Sequence, residues 1–438
     1  MSAGGVRVVR PQRVTNTELF VPGDKSVSQR AVMLGALAQG QSRVRRILQG
    51  GDVKSTLSAC VALGAEAVWD SDDLLIKGVG GRFIPSATDL DFGNSGTGIR
   101  LMSGLLAGHN FESTLCGDDS LSKRPMTRIQ LPLELMGARL SLTNERFPPF
   151  TIHGGGLKAI DYELPMPSAQ VKSCVLLAGL FAEGVTRVVE PVRCRNHTEN
   201  MFQALGLPLT VDDGAVSVSG SSGAPLELNS FDWLVPGDFS SAAFWLTAAA
   251  ISDGKTVLVK NVGLNPGRSG LLNVLRRMGA GVEVSVDPES PESEPSGDVV
   301  VRGCGLKGTT VGGDEVPDLI DELPLVAVLG ACAEGETVIK DADELRVKES
   351  DRIALMVNNL SAMGVDVTEH KDGLSVRGSD TVPGGGVVQS CGDHRMAMSA
   401  TILSTRAEKG ITVEGADCID TSYPTFWDDF GKVTSDVV

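Results

Sequence analysis

The chain has 438 residues, of which 42% are hydrophobic and 21% are charged, and its formal net charge is −16 at pH 7. This composition is typical of a folded globular protein and excludes a largely disordered one. An acidic chain repels nucleic acids and anionic membrane surfaces, so we expect neither as a partner. No apolar run is long enough to span a membrane and no secretory signal is visible, which favours a cytoplasmic location.

Six alanine-rich apolar runs follow one another along the chain, and each begins with small or charged residues and ends with a glycine. The runs open at residues 23–26, 94–97, 168–170, 238–241, 321–322 and 393–395. They close at Gly40, Gly108, Gly184, Gly254, Gly335 and Gly410. This pattern predicts six helices with polar N-terminal caps and glycine C-terminal caps. The glycines are 68 to 81 residues apart, which indicates an internal repeat.

A second signal recurs in step with the first: an apolar residue and a glycine close a short segment, and residues that alternate as in a strand follow. It occurs at Leu63-Gly64, Met136-Gly137, Leu205-Gly206, Met278-Gly279 and Met363-Gly364, with a weaker sixth match at Phe430-Gly431. The predicted repeat therefore contains a helix, a strand, a second helix with a glycine cap, and further strands. Six such repeats predict an α/β fold.

Two near-identical segments divide the repeats into two sets of three. Residues 21–24 and 235–238 both read Val-Pro-Gly-Asp and are 214 residues apart. We therefore predict one domain from residues 1–20 and 238–438 and a second from residues 21–237. The first twenty residues would add a strand to the first of these domains. The stretch 287–298, rich in Pro, Glu and Ser, is expected to be a surface loop without chemistry.

Positive residues gather at the predicted helix starts, although a helix N-terminus already carries partial positive charge. Lys25 and Arg30 lie in the first such helix, Arg100 lies in the second, and His394-Arg395 open the sixth. Salt bridges to the many carboxylates would explain any one of these cations. Their repetition at equivalent positions favours a bound polyanion held by helix N-termini and cations together.

Metal and nucleotide motifs are absent from the sequence. The eight cysteines form no CxxC pair, the five histidines are far apart, and we predict no metal. Gly23-Asp24-Lys25-Ser26 lacks the glycine that a P-loop has directly before its lysine. The glycines at 93–98 are in the wrong order for a dinucleotide fingerprint.

Five segments, taken in order, resemble the family of 5-enolpyruvylshikimate-3-phosphate synthase, in its more divergent bacterial branch. They are residues 23–30, 93–100, 123–126, 346–352 and 393–398. The resemblance implies two inside-out α/β domains, each of three βαβαββ repeats, with the active site in the cleft between them. It also implies transfer of the enolpyruvyl group of phosphoenolpyruvate to the 5-hydroxyl of shikimate 3-phosphate, with release of phosphate. This reaction belongs to aromatic amino-acid biosynthesis.

The resemblance assigns site residues by their position in the motifs. Those implied for shikimate 3-phosphate are Lys25, Ser26, Arg30, Ser168, Ala169, Gln170, Asp321 and Lys348. Those implied for phosphoenolpyruvate are Lys25, Gly96, Arg124, Gln170, Arg352 and Arg395. Supporting residues are Asn94, Thr97, Arg100 and His394. Asp321 is implied as the base for the hydroxyl and Glu349 as the acid, with Lys25 as its possible partner. The resemblance also implies that the reaction needs no metal and no organic cofactor, and that glyphosate is a possible inhibitor. We expect the protein to be a monomer.

Plainer interpretations stand beside these roles. Asp321 is typical of a helix cap, Lys348 and Glu349 of a solvated helix face, and His394 of a structural hydrogen-bonding residue. Two other functions remain open: a UDP-N-acetylglucosamine enolpyruvyl transferase, for which Cys116 is the candidate loop cysteine, and a non-catalytic anion-binding module. The chain departs from the common family pattern at Gln29, Cys194, His197, Glu344 and Thr421.

Overall fold

A computed structural model describes residues 5–212, 214–291 and 294–436. The chain forms two units. Unit 1 comprises Met1–Pro22, Pro236–Ser290 and Pro295–Val438, and unit 2 comprises Gly23–Val235 and Pro291–Glu294. The boundary between Val235 and Pro236 lies within the second Val-Pro-Gly-Asp segment.

The helices of the described chain are of two kinds: some bury nearly all of their residues, and the others bury only part of their surface. They are α1 Lys25–Leu37, α2 Gly51–Ala62, α3 Gly96–Ala107, α4 Thr127–Leu135, α5 Ala169–Gly179, α6 His197–Ala204, α7 Phe239–Ala250, α8 Leu271–Met278, α9 Val316–Leu319, α10 Leu323–Ala331, α11 Arg352–Ala362, α12 His394–Ser404 and α13 Phe426–Val433. Short 3₁₀ turns occur at Leu121–Lys123, Gly313–Glu315, Asp343–Val347 and Ala416–Thr421.

The strands are short and follow the helices in a regular order. They are β1 Val6–Val9, β2 Gln12–Val14, β3 Thr17–Phe20, β4 Gln41–Arg45, β5 Glu66–Asp70, β6 Asp73–Lys77, β7 Leu90–Asp91, β8 Glu112–Cys116, β9 Arg139–Thr143, β10 Phe147–His153, β11 Asp161–Glu163, β12 Val185–Val189, β13 Leu209–Asp212, β14 Ala215–Ser219, β15 Asp232–Leu234, β16 Thr256–Gly263, β17 Gly281–Val286, β18 Ser296–Arg302, β19 Thr310–Val311, β20 Glu336–Ile339, β21 Asp366–His370, β22 Gly373–Arg377, β23 Val382–Gly384, β24 Val387–Gln389, β25 Ala407–Lys409, β26 Ile411–Glu414 and β27 Thr434–Asp436.

Each repeat supplies most strands of one sheet, and every one of these six sheets contains one parallel pair of strands. In unit 2 the orders are β15-β4-β6-β5, β7-β8-β10-β9 and β11-β12-β14-β13, and in unit 1 they are β3-β16-β18-β17, β19-β20-β22-β21 and β24-β26-β1. The first two strands of every order are parallel, and the remaining pairs are antiparallel. The predicted α/β fold of six repeats is therefore confirmed.

The chain path exchanges one strand between repeats. β3 precedes α1 in the sequence, yet it pairs with β16, which follows α7. β15 precedes α7, yet it pairs with β4, which follows α1. Residues 17–20 therefore complete a sheet of unit 1, and residues 232–234 complete a sheet of unit 2.

Three helices in each unit are almost wholly buried and form its core. They are α1, α3 and α5 in unit 2 and α7, α10 and α12 in unit 1. A helix that is apolar on all sides is stable only when it is surrounded. Small residues let these helices pack closely, since a Cβ added at Gly104 of α3 would lie 2.2 Å from the Cys174 carbonyl oxygen of α5. The alanine-rich composition of the six runs follows from this packing.

The predicted glycine C-caps are wrong for five of the six central helices. The C-cap residues of those five helices are Ala38, Leu180, Ile251, Cys332 and Thr405, all before the predicted glycine, and only α3 is capped by its glycine, Gly108. Most of the displaced glycines adopt positive φ in the turn that leads into the next strand. Those glycines therefore mark the helix-to-strand turn rather than the helix end.

The glycine signal of the second helices is confirmed in five repeats. Gly64, Gly137, Gly206, Gly279 and Gly364 all have positive φ at or directly after the cap. The weaker sixth match is wrong, because Gly431 lies inside α13.

The expectation that the stretch 287–298 is a surface loop is wrong at Glu294. This side chain is buried, and its carboxylate accepts hydrogen bonds from His197 at 2.9 Å and Asn200 at 2.7 Å. Residues 292 and 293 lie outside the described residues. Within the described residues, no helix is both long and apolar enough to cross a membrane.

Candidate active site

Three central helices of unit 2 begin at a side chain that accepts a hydrogen bond from the helix backbone. These N-caps are Asp24 for α1, Ser95 for α3 and Ser168 for α5. The Gln29 amide donates to the Ser95 hydroxyl at 2.8 Å and so joins α1 to α3. The Gln170 amide donates to Thr97 Oγ1 at 3.0 Å and so joins α5 to α3. The positive ends of three helices therefore meet in one part of unit 2.

Two guanidinium groups flank Gly96, the first residue of α3. A Cβ added there would lie 3.0 Å from Arg100 Nη1 and 3.2 Å from Arg124 Nη1. Arg100 donates to the Gly96 carbonyl at 3.3 Å and to Gln170 Oε1 at 2.9 Å. The absence of a side chain at Gly96 leaves both cations beside the helix N-terminus, where an anion would be stabilised.

Asn94 holds Arg124 next to this helix start. Arg124 follows the 3₁₀ turn Leu121–Lys123, and its Nη2 donates to Asn94 Oδ1 at 2.6 Å. The Asn94 amide in turn donates to Asp118 at 2.8 Å. Asn94, Thr97 and Arg100 thus contact Arg124, Gly96 and Gln170, the residues around the start of α3.

The other two predicted site cations of unit 2, Lys25 and Arg30, lie on α1. The Lys25 ammonium is 3.1 Å from the buried Asp52 carboxylate, and the Lys25 side chain is 20% exposed. Arg30 is buried, and it donates to the Ser26 carbonyl at 3.0 Å, to Ser173 Oγ at 2.8 Å and to Thr198 Oγ1 at 2.7 Å. These three neutral oxygens orient the guanidinium without cancelling its charge.

In unit 1, Asp321 lies in the turn between α9 and α10. Its Oδ1 accepts a hydrogen bond from Arg352 at 3.2 Å, and its Oδ2 is 3.7 Å from Arg395. Glu322 occupies the N-cap position of α10, so Asp321 does not cap this helix. The Asp321 side chain is 15% exposed. A carboxylate that two cations orient and that is still partly exposed can accept a proton from a ligand hydroxyl.

Arg352, the first residue of α11, is fully buried among three carboxylates. It contacts Asp393 at 2.8 Å, Glu349 at 2.5 Å and Asp321 at 3.2 Å. Burial alone would lower the pKa of Arg352, but the three carboxylates outweigh burial and raise that pKa above its ordinary value. Arg352 therefore stays charged and fixes Glu349 and Asp321 relative to each other.

Arg395 connects the starts of three central helices in unit 1. Its guanidinium donates to the Asp321 carbonyl at 3.1 Å, to Glu322 Oε1 at 3.4 Å and to Ser240 Oγ at 3.2 Å. His394, directly before it, is buried at the first position of α12.

Lys348 is partly exposed and lies 3.1 Å from Glu344. Glu344 is one of the positions at which the chain departs from the common family pattern, and here it orients the Lys348 ammonium. Thr421, another such position, is the last residue of the turn Ala416–Thr421 and is half-buried.

The structure thus brings the predicted site residues together in two sets, one in each unit. The unit 2 set is Lys25, Ser26, Arg30, Asn94, Gly96, Thr97, Arg100, Arg124, Ser168, Ala169 and Gln170, and the unit 1 set is Asp321, Lys348, Glu349, Arg352, His394 and Arg395. Within the described residues, no group of three His, Cys, Asp or Glu side chains could hold a metal ion.

Several residues that orient the members of these two sets were not predicted from the sequence. The buried Arg268 donates to Asp238 at 3.2 Å and to Ser240 at 3.0 Å, and Ser240 donates to the buried Glu322. Nothing in the local pattern around Arg268 indicates this contact. The buried Lys172 was detectable in principle, because it is the one charged residue within the apolar run of α5.

The comparisons with known proteins cover nearly the whole chain. The family model of EPSP synthase (3-phosphoshikimate 1-carboxyvinyltransferase) matches residues 9–430. The chain belongs to the EPSP synthase family. The 3-phosphoshikimate 1-carboxyvinyltransferase of Bacillus subtilis is 45% identical over 419 residues, which is 95% of this chain and 97% of that protein. The protein of the same name from Geobacter sulfurreducens is 46% identical over 418 residues, 95% of this chain and 96% of its own.

Solved structures agree with this membership. EPSP synthase from Acinetobacter baumannii is 41% identical, covers 98% of both chains and has a TM-score of 0.87. The enolpyruvyl transferase NikO from Streptomyces tendae is only 16% identical, with a TM-score of 0.77 over 99% of this chain and 100% of its own, and it supports the fold alone. The resemblance noted in the sequence is therefore confirmed, and with it the expectation of an enzyme of the EPSP synthase family.

Proposed function

We propose that this chain transfers the enolpyruvyl group of phosphoenolpyruvate to the 5-hydroxyl of shikimate 3-phosphate and releases phosphate. The observation that carries the proposal is the carboxylate pair Asp321 and Glu349, which one buried arginine, Arg352, contacts on both members. An anion-binding module would need cations and helix N-termini but no such pair. Family membership over nearly the whole chain supports the same reaction.

The two substrates explain the cations. Each carries a phosphate and a carboxylate, so binding both requires several positive groups and N–H donors. For shikimate 3-phosphate we assign Lys25, Ser26, Arg30, Ser168, Ala169, Gln170, Asp321 and Lys348. For phosphoenolpyruvate we assign Lys25, Gly96, Arg124, Gln170, Arg352 and Arg395. Glyphosate, which is also a small anion, would compete at the second set. We further propose that the protein is a monomer.

The chemistry divides between two proton transfers. Asp321 accepts the proton of the 5-hydroxyl while that oxygen bonds to C2 of phosphoenolpyruvate. Glu349, with Lys25 as its partner, delivers a proton to C3, which forms a tetrahedral intermediate. In the elimination, Glu349 takes a proton back from C3 while the C2–O bond to phosphate breaks and the departing phosphate takes the proton held by Asp321. This step forms the enol ether of the product, releases phosphate and returns both carboxyl groups to their starting states. The guanidiniums of Arg352 and Arg395 stabilise the negative charge that gathers on the departing phosphate.

The test measures phosphate release from phosphoenolpyruvate with either shikimate 3-phosphate or UDP-N-acetylglucosamine as the acceptor. We expect release only with shikimate 3-phosphate, together with a product heavier than that acceptor by one enolpyruvyl group. Release only with the sugar nucleotide would mean that the acceptor is wrong and would direct attention to Cys116. Binding of both anions without release would favour a non-catalytic module.

A further inference from the structure

The first turn of α6 is polar and buried, which is unusual for a helix start inside a core. Its residues His197, Thr198, Glu199 and Asn200 are only 3%, 1%, 4% and 6% exposed. Burying four polar side chains is costly unless each has a partner. Every one of them contacts a polar or charged residue of another segment of unit 2.

Thr198 accepts one of the hydrogen bonds that Arg30 donates. Its hydroxyl oxygen accepts from Arg30 Nε at 2.7 Å, and its proton goes to Ser173 Oγ at 2.7 Å. The same Ser173 oxygen accepts from Arg30 Nη2 at 2.8 Å. The two hydroxyls therefore form a fixed fork that matches the Nε–Nη2 edge of the guanidinium and determines the plane in which the guanidinium lies.

An ion cluster beside this fork fixes α6 to α5. The Lys172 ammonium, whose side chain is 0% exposed, is 2.5 Å from Glu199 and 2.8 Å from Glu190. Lys172 precedes Ser173, and Glu199 follows Thr198. Burial opposes the charge on Lys172, but the two carboxylates outweigh burial and hold the pKa of Lys172 above its ordinary value. The cluster thus keeps both hydroxyls of the fork at a fixed separation.

Glu294 fixes the other side of the same turn. His197 Nδ1 donates to Glu294 Oε1 at 2.9 Å, and the Asn200 amide donates to Glu294 Oε2 at 2.7 Å. These two residues flank Thr198 and Glu199 in the chain. One carboxylate therefore holds both ends of the turn that carries the Arg30 partner.

We propose that Thr198 and Glu294 are positioning residues for shikimate 3-phosphate, because they orient Arg30 through the buried polar turn of α6. The inference rests on the proposed function, which assigns Arg30 to that substrate. Neither residue needs to touch a ligand. A hydroxyl that holds an arginine in its binding orientation contributes to affinity for that arginine's ligand and leaves the other substrate unaffected.

The experiment compares Thr198→Val, Thr198→Ser and Thr186→Val. Thr186 is the matched control because it is a fully buried threonine of unit 2 on β12, whose hydroxyl has no hydrogen-bond partner among the described residues. We expect Thr198→Val to raise KM for shikimate 3-phosphate roughly tenfold, the loss expected for one hydrogen bond to a charged group. KM for phosphoenolpyruvate should stay unchanged. The Thr198→Ser variant should restore the wild-type KM.

A second pair of variants tests the first turn of α6 and keeps both hydroxyls that accept from Arg30. Glu294→Gln is compared with Glu289→Gln, an exposed position in the same stretch. We expect a severalfold rise in KM for shikimate 3-phosphate with the first variant only, because a neutral amide holds His197 and Asn200 less firmly. This pair remains informative if Thr198→Val fails to fold.

The outcomes separate this inference from the proposed function. If the wild-type protein turns over normally and KM for shikimate 3-phosphate is unchanged in Thr198→Val and in Glu294→Gln, the inference is wrong and the proposed function stands. Equal rises in both KM values, with a fall in melting temperature that Thr186→Val reproduces, would also overturn it, because they indicate a merely structural role. A wild-type chain that neither binds shikimate 3-phosphate nor releases phosphate would overturn both.

Discussion

Asp321 has the sequence context of a helix N-cap, but its carboxylate contacts two arginines instead. An aspartate before an apolar run is most often a helix cap, and the sequence around Asp321 fits that interpretation. In the structure Glu322 takes the cap position, while Arg352 and Arg395 orient the Asp321 carboxylate. The two arginines come from segments far away in the sequence, so no local pattern could have placed them.

Replacing Asp321 with Asn should remove the base and keep the shape of the site. We expect kcat to fall by about 10²–10⁴, the usual contribution of a general base. Binding of shikimate 3-phosphate, measured by calorimetry, should change much less. Asp314→Asn, at an exposed position before α9, is the control and should keep wild-type activity. Full turnover by Asp321→Asn would mean that another group accepts the proton.

Gly96→Ala tests the approach of an anion to the start of α3. The added Cβ would lie 3.0 Å from Arg100 and 3.2 Å from Arg124, so both guanidiniums must shift by a few tenths of an ångström. We expect KM for phosphoenolpyruvate to rise severalfold, with a smaller effect on shikimate 3-phosphate. Gly431→Ala is the matched control, because no atom lies within 4 Å of its added Cβ. An unchanged KM for phosphoenolpyruvate would remove Gly96 from the proposed site.

Cys116 is the residue on which the alternative acceptor depends. Burial raises the pKa of this thiol, and Asp91 and Asp89 raise it further, so little thiolate forms at neutral pH. We therefore expect Cys116→Ser to keep full activity and iodoacetamide to modify Cys116 slowly at pH 7. Loss of turnover in this variant would revive the sugar-nucleotide alternative.

At the scale of elements, helix starts were predictable and helix ends were not. The residues at 24, 95, 168, 238 and 393 cap their helices, as the polar openings predict. A cap is a hydrogen bond between residues close together in the chain, so the sequence pattern that predicts it spans only a few residues. The ends depend on where the next strand joins its sheet, which is a tertiary property. The same limit explains why the role of α6 was missed, since its partners lie on α1, α5 and the 287–298 stretch.

The buried ion cluster between α5 and α6 gives a stability prediction. Lys172→Met would leave Glu190 and Glu199 buried without their cation, and we expect a loss of about 3–5 kcal/mol in the free energy of unfolding. Lys77→Met is the control, because Lys77 and its partner Glu66 are 61% and 71% exposed, and it should change stability little. Urea unfolding measures both. Equal effects of the two substitutions would mean that water screens the cluster.

At the scale of the whole molecule, the repeat and its exchange of strands explain what the sequence could and could not predict. Helix and strand periodicity recurs locally, so six repeats were visible in one chain. The near-copy at 21–24 and 235–238 indicated where the two sets meet. Some contacts that orient the site residues, such as the hydrogen bond from Arg268 to Ser240, are between residues far apart in the sequence. Such contacts produce no periodic pattern in the sequence.

The two units differ in whether one continuous segment of the chain contains their whole core. The core of unit 2 draws on residues from Val27 to Val235, all within one continuous segment. The core of unit 1 includes Val9, Val14, Leu19 and Val21, which precede unit 2 in the sequence. β3, in that same segment, is also the parallel neighbour of β16.

We therefore expect the fragment 23–235 to unfold cooperatively in urea and the fragment 236–438 to fold only when a peptide of residues 5–22 is added. The peptide supplies β1 and β3, which are edge strands of two sheets of unit 1, and four buried apolar side chains. Without β3, β16 loses its parallel partner. The fragment 23–230 is the control for the first expectation, because it lacks β15 and the buried Trp233 and should be less stable. Circular dichroism with and without the peptide decides the second. Cooperative unfolding of 236–438 alone would show that β3 completes a sheet that is already stable.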